Sequence, residues 1–207
     1  MIYHKINTQI EELIKKFDAI PADRKLLLNK ISTYVNTCME EERTAKLIYI
    51  CTHNSRRSHF GQIWSKVAAT YYGFNNVQSY SGGTEATAFN PNAIKAMETL
   101  GFIVRKAKET TNPMYAVQFD DDNTPVVCFS KKYDDELNPT QNFCAVMTCM
   151  EADGACPYIK GAQVRVATPY IDPKAFDGTP QQDAMYLERS KQIATESLYV
   201  FSQIRTS

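Results

Sequence analysis

From residue 1 to about 45, apolar positions recur at three- and four-residue steps. Ile6, Ile10, Leu13, Ile14 and Phe17 form one stripe, and Leu27, Leu28, Ile31, Val35 and Cys38 form a second after Pro21 and Asp23. That spacing puts each set on one face of a helix, so two helices are expected, the second ended by Glu41, Glu42 and Arg43. From Lys46 onward, short apolar runs alternate with helical periods. LIYIC (47–51) reads as a buried strand, SHFGQIWSKVAATYYG (58–73) as a helix stopped by Gly73, and NVQSYSGG (76–83) as a strand entering a glycine turn. NPNAIKAMETLG (90–101) has a proline in its first turn and a closing glycine, as a helix should. YAVQF and PVVCFS flank the polar DDDNT and predict a hairpin. FCAVMTC (143–149) is a further buried strand, MEADGACPY a loop, QVRVATPY a last strand, and residues 181–204 a long C-terminal helix with Met185, Ile193, Leu198 and Phe201 available for packing.

Strands alternating with helices predict an α/β fold, with a parallel sheet of about four strands covered on both faces. Residues 1–45 form an N-terminal helical extension to a domain spanning 46–207, and the hairpin is an insertion in that domain.

Composition narrows the function. Lys plus Arg and Asp plus Glu both count 23, so the net charge is zero and no nucleic-acid or acidic-membrane partner is expected. No apolar run reaches the roughly 18 residues that a membrane helix needs. The N-terminus, MIYHKINTQIEELIKKF, mixes charges into its apolar positions and lacks the core of a secretory signal. A cytoplasmic location is the expectation. The six cysteines (38, 51, 128, 144, 149, 156) form no C-x2-C pair, the three histidines form no H-x3-H pair, and no metal site is expected.

The chemistry concentrates at CTHNSRRS (51–58). Cys51 ends a strand, a helix begins near Ser58, and ligands of open α/β sheets bind beyond the carboxyl ends of the strands. A helix N-terminus and the loop amides of Thr52, His53, Asn54, Ser55, Arg56, Arg57 and Ser58 direct partial positive charge into the loop and suit an oxyanion. That field favours a thiolate at Cys51. Arg57 offers a planar fork that matches two oxygens of a tetrahedral anion. Asn54 tolerates the left-handed backbone that a tight loop needs. Ser58 can cap the helix or hydrogen-bond the thiolate.

CTHNSRRS resembles the phosphate loop of the low-molecular-weight protein tyrosine phosphatases and of the thioredoxin-coupled arsenate reductases built on the same fold. The likeness continues in SGGTEATAFNPNAIKAMETLG (81–101), FSKKYDDE, FCAVMTC and the Asp172-Pro173 pair, covering about residues 46 to 204. It implies a three-layer α/β catalytic domain, and it implies that Asp172 is the acid that protonates the departing oxygen. Cys149 and Cys156, in CMEADGAC, have the spacing of the reductases' second and third thiols. The resemblance therefore implies reduction of arsenate to arsenite through Cys51 and a Cys149/Cys156 disulfide, with thioredoxin or another dithiol as reductant and no bound cofactor.

Two other readings stay open from the sequence. One is a phosphatase acting on phosphotyrosine or small phosphate monoesters, which needs Cys51, Arg57 and Asp172 alone. The other is a non-catalytic oxyanion- or redox-sensing module. Cys128 and Cys144 lie within apolar runs and Cys38 on a helix stripe, so all three read as packing. Three positions depart from the family pattern. Arg56 stands where cysteine is common, Gln62 stands where some reductases carry a potassium-binding glutamate, and KAF follows Pro173 where phosphatases tend to place tyrosines.

Overall fold

The computed structural model describes residues 1–156 and 158–205; Pro157, in the stretch read as a loop, lies outside them. Helices α1 (His4–Ile14) and α2 (Ala22–Glu40) precede strand β1 (Ala45–Cys51). Then come α3 (Arg57–Tyr71), β2 (Val77–Gly83), α4 (Pro91–Leu100), β3 (Ile103–Lys106), β4 (Tyr115–Gln118), β5 (Val126–Cys128) and β6 (Phe143–Met147). The chain ends with α5 (Met150–Ala155), β7 (Ala162–Ala167) and α6 (Gln182–Ser202).

Four strands form one parallel sheet in the order β2-β1-β6-β7. This is the three-layer α/β architecture expected from the alternation of strands and helices. Side chains alternate across β1: Leu47 and Tyr49 join a large core with α1, α2, α3, α4 and α6, while Ile48 and Ile50 join a smaller one with Phe143, Met147, Ala152 and Ile159. Ile6, Ile10 and Leu13 of the first helical stripe are all buried in the large core. Each such side chain contributes about 1.5–3 kcal/mol on burial, enough to hold α1 on α6 and α4.

Helix α4 shows how local chemistry sets an element's ends. The Asn90 side chain accepts from the amides of Asn92 (2.9 Å) and Ala93 (3.3 Å), Pro91 occupies the first turn, and Gly101 closes the helix at φ 107°. Only glycine adopts that left-handed angle at little cost.

The structure differs from the sequence reading in two places. The expected hairpin is present as β4 and β5, but β3 pairs antiparallel with β4 to make a three-stranded sheet. Ile103-Val104-Arg105-Lys106 is exposed or half-exposed throughout and carries no two-residue alternation to announce a strand. Residues 150–155, read as loop, form the short helix α5. Six residues are too few to display a helical period, and tertiary context decides such a segment.

Candidate active site

The strand order changes direction beside β1, and ligands of open α/β sheets bind beyond the carboxyl ends of the strands at such a point. Four chain segments meet there for one topological reason: Cys51 ends β1, Gly83 ends β2, Thr148 and Cys149 follow β6, and Tyr170 to Asp172 follow β7. Cys51 is registered on Gly83, and the amides of Thr84 and Glu85 donate to the carbonyls of Cys51 (3.1 Å) and Thr52 (2.8 Å). A Cβ at Gly83 would lie 2.6 Å from the Thr52 carbonyl oxygen and 2.7 Å from the Asn54 nitrogen. A side chain there would force the loop apart.

Asn54 is the hub of the loop. Its backbone takes φ 44°, its side-chain oxygen accepts from the Lys131 amide at 2.9 Å, and its Nδ2 donates to Ser58 Oγ at 2.8 Å. Ser58 Oγ lies 3.1 Å from Cys51 Sγ. Since Ser58 Oγ already accepts from Asn54, its own proton is free to be donated to the sulfur. Asn54 and Ser58 are fully buried. The rest of the loop is tied by its carbonyls: His53 O accepts from Ser130 Oγ (2.9 Å) and Thr87 Oγ1 (3.0 Å), and Ser55 O accepts from the Asn90 amide (2.9 Å). The His53 ring is itself half-exposed and faces Glu85 at 3.7 Å.

The amide N–H groups of Thr52 to Ser58 donate to no protein acceptor among the described residues. Arg57 Nε is likewise buried without a protein partner. A row of free amides at a helix start, beside a buried unpartnered guanidinium nitrogen, is built to receive an anion. The other ends of Arg57 are engaged: Nη1 donates to the Tyr170 carbonyl (2.9 Å) and Nη2 to Asp172 Oδ2 (2.7 Å). Asp172 Oδ1 accepts from the Lys174 amide at 3.0 Å, which fixes the carboxyl at the start of the turn Pro173–Phe176.

Arg56 has a different task from its neighbour. Its Nε donates to the Tyr186 hydroxyl (2.8 Å), which donates in turn to Asp177 Oδ1 (2.8 Å). Its guanidinium lies 3.9 Å from Asp172 and 3.8 Å from Asp177. The two carboxylates flank the Pro173–Phe176 turn, so Arg56 anchors that turn from both ends, and its share in an anion site is its amide. Tyr186 and Asp177 were not singled out in the sequence, because nothing local pairs residue 56 with positions more than a hundred residues later.

The second thiol lies beside the loop. Cys149 is buried, with its Sγ 3.4 Å from Thr52 Oγ1 and accepting from the Ala152 amide at 3.4 Å as it caps α5. Burial pushes its thiol up, opposed by the Thr52 hydroxyl, the Ala152 amide and the Arg57 charge, while Cys51 adds to the rise. Cys156 sits half-buried at the far end of α5, its carbonyl accepting from Arg165 Nε at 3.2 Å. Cys38, Cys128 and Cys144 are buried within the core, and burial pushes all three thiols up, Cys128 to about 12. Gln62 donates to the Val127 carbonyl at 3.2 Å.

No protein-family model matches the chain. Curated relatives do. The chain is 27% identical over 159 residues to an arsenate reductase of Halalkalibacterium halodurans, covering 76% of this chain and 96% of that one. It is 31% identical over 135 residues to an arsenate reductase of Brevibacillus brevis, covering 65% and 80%. Among solved structures it superposes on an arsenate reductase in its phosphate-binding state, with TM-score 0.51, 15% identity and coverage of 78% and 100%. A low-molecular-weight phosphotyrosine phosphatase of Vibrio cholerae O395 gives TM-score 0.52 at 12% identity, covering 76% and 95%. These superpositions define the fold as that of the low-molecular-weight phosphatases. At 31% identity over four-fifths of the Brevibacillus relative, the chain belongs to the arsenate reductase family that is built on it.

Proposed function

We propose that this protein is a thiol-dependent arsenate reductase. The observation that carries the reading is the placement of a second buried thiol, Cys149, against Thr52 of the Cys51 loop. Phosphate ester hydrolysis has no use for it.

The loop amides and Arg57 receive arsenate. The Cys51 thiolate attacks arsenic, an As–S bond forms, and a departing hydroxyl of arsenate takes a proton from Asp172 and leaves as water. Cys149 then attacks Cys51 Sγ. The S–S bond forms as the As–S pair returns to arsenic, which departs as arsenite, now two electrons reduced. Cys156 attacks Cys149 Sγ, releasing Cys51 as thiolate and leaving a 149–156 disulfide for an external dithiol such as thioredoxin to reduce. No bound cofactor is required, and a reducing cytoplasm, which keeps thiols free, suits the relay.

The test is arsenite formation with thioredoxin, thioredoxin reductase and NADPH, comparing wild type with Cys149→Ser and Cys156→Ser. Turnover lost in both variants, with Cys51-dependent hydrolysis of an aryl phosphate surviving, is the expected result. No arsenite from wild type, with aryl phosphate hydrolysis intact, makes the protein a phosphatase. Neither activity leaves a binding or sensing module.

A further inference from the structure

Helix α2 precedes residue 46 and lies outside the stretch in which the family resemblance runs, yet it is joined to the active site by an unbroken line of contacts. Arg24, near its start, grips Glu196 of α6 with a two-pronged pair: Nε lies 3.1 and 3.0 Å from the two carboxylate oxygens, and Nη2 lies 2.8 Å from Oε2. The Tyr170 hydroxyl donates to the same Oε2 at 2.7 Å. The Arg24 guanidinium also covers the Tyr170 ring, 4.8 Å from its centre. Tyr170 is then fixed by its backbone. Its amide donates to the carbonyl of Thr148 (3.1 Å), just before Cys149, and its carbonyl accepts from Arg57 Nη1 (2.9 Å).

We propose that Arg24 and Glu196 are positioning residues for arsenate reduction, bracing Tyr170 so that its carbonyl holds Arg57, and with it Asp172, at the geometry the chemical step requires. The proposal rests on the reading of the site given above. Its physical basis is the burial of Glu196, which is 6% exposed. A carboxylate that deep in the protein must keep its hydrogen bonds. Without Arg24 its one remaining hydrogen bond among the described residues comes from Tyr170, and the carboxylate turns toward water, drawing the tyrosine with it. Arg57 donates to a backbone carbonyl of that same residue, so the displacement reaches the anion site through two rigid links. Ordinary packing of α2 would not need this line: Ser32, on the same helix, donates to the Val200 carbonyl of α6 at 2.8 Å and leads nowhere near the loop.

The experiment compares Arg24→Ala, Tyr170→Phe, the double variant and Ser32→Ala, measuring kcat and KM for arsenate together with amide exchange over residues 168–177. Arg24→Ala and Tyr170→Phe should each lower kcat about tenfold and raise KM several-fold, because a misplaced Arg57 both grips the anion less well and carries Asp172 out of place. The double variant should lose no more than the worse single, because both act through one contact. Ser32→Ala should keep the wild-type kcat. Wild-type kcat in Arg24→Ala, or losses that multiply in the double variant, would overturn the brace. Should wild type form no arsenite, the functional reading fails and amide exchange decides the brace by itself. Faster exchange at 168–177 in Arg24→Ala than in Ser32→Ala upholds it, and equal exchange rejects it.

Discussion

Asp172 Oδ2 lies 2.7 Å from Arg57 Nη2, so the proposed acid is carried by the same guanidinium that faces the anion loop. One rigid planar group thus sets both the seat of the oxyanion and the place of the proton donor. Asparagine at 172 would keep the hydrogen bond to Arg57 and lose the acid. Asp172→Asn should lower the rate of arsenate turnover by about 10²-fold while inorganic phosphate still binds, as read by its inhibition constant. A rate within a few-fold of wild type would remove Asp172 from the chemistry.

Ser58 stands between Asn54 and Cys51, at 2.8 and 3.1 Å. Ser58→Ala removes the hydroxyl proton aimed at the sulfur and strands Asn54 Nδ2 in a buried position. A hydrogen bond to a charged group contributes about 1.5–3 kcal/mol, so kcat should fall about tenfold or more, together with a loss of about 1–3 kcal/mol in stability from the orphaned amide. Single-turnover alkylation of Cys51 by iodoacetamide reports the first effect and urea unfolding the second.

Cys149 and Cys156 cap opposite ends of α5. The seven steps from Cys149 to Cys156 cover about 10 Å at the helical rise of roughly 1.5 Å per residue, whereas a disulfide holds its Cα atoms within about 6.8 Å. The 149–156 bridge therefore requires α5 to unwind. Oxidation of wild type should raise amide exchange across residues 150–156 and leave β6 protected, while Cys156→Ser under the same treatment should retain the helix. Protection of α5 that is identical in the oxidised and reduced proteins would exclude the bridge.

His59, in the first turn of α3, is buried against Phe89 and hydrogen-bonded to Ser81 at 3.2 Å. Burial, and next the Lys131 charge, push its imidazole down from 6.5 to about 3. The sign follows from linkage: the unfolded histidine binds a proton below about pH 6.5 and the folded one does not. Stability is therefore full above that pH and falls as pH drops toward about 3, by up to about 1.4 kcal/mol per pH unit. Urea midpoints for His59→Gln should fall less steeply than those of wild type between about pH 6 and pH 4. Equal slopes would place the acid sensitivity elsewhere.

Much of this was legible in the residues. The stripes of residues 6–17 and 27–38, the LIYIC and FCAVMTC runs and the Asn90–Pro91…Gly101 boundaries are local signals, because helix period, strand burial and capping depend on neighbours within a turn or two. The C-x5-R-S loop was readable for the same reason, since β1, the loop and the start of α3 are contiguous. The packing role of Cys38, Cys128 and Cys144 followed from their apolar surroundings.

Tertiary structure decided the rest. Strand order brings the ends of β1, β6 and β7 together, and only that order sets Cys149 against Thr52 and Asp172 on Arg57. Arg56 stands in the loop beside Arg57, but the fold commits its side chain to Tyr186, Asp177 and Asp172. Arg24 carries no signal in the sequence, because its partner Glu196 lies 172 positions later. Hydrogen bonds and ion pairs act over about 3–4 Å of space. A chain encodes such partners only through the global packing of its apolar faces.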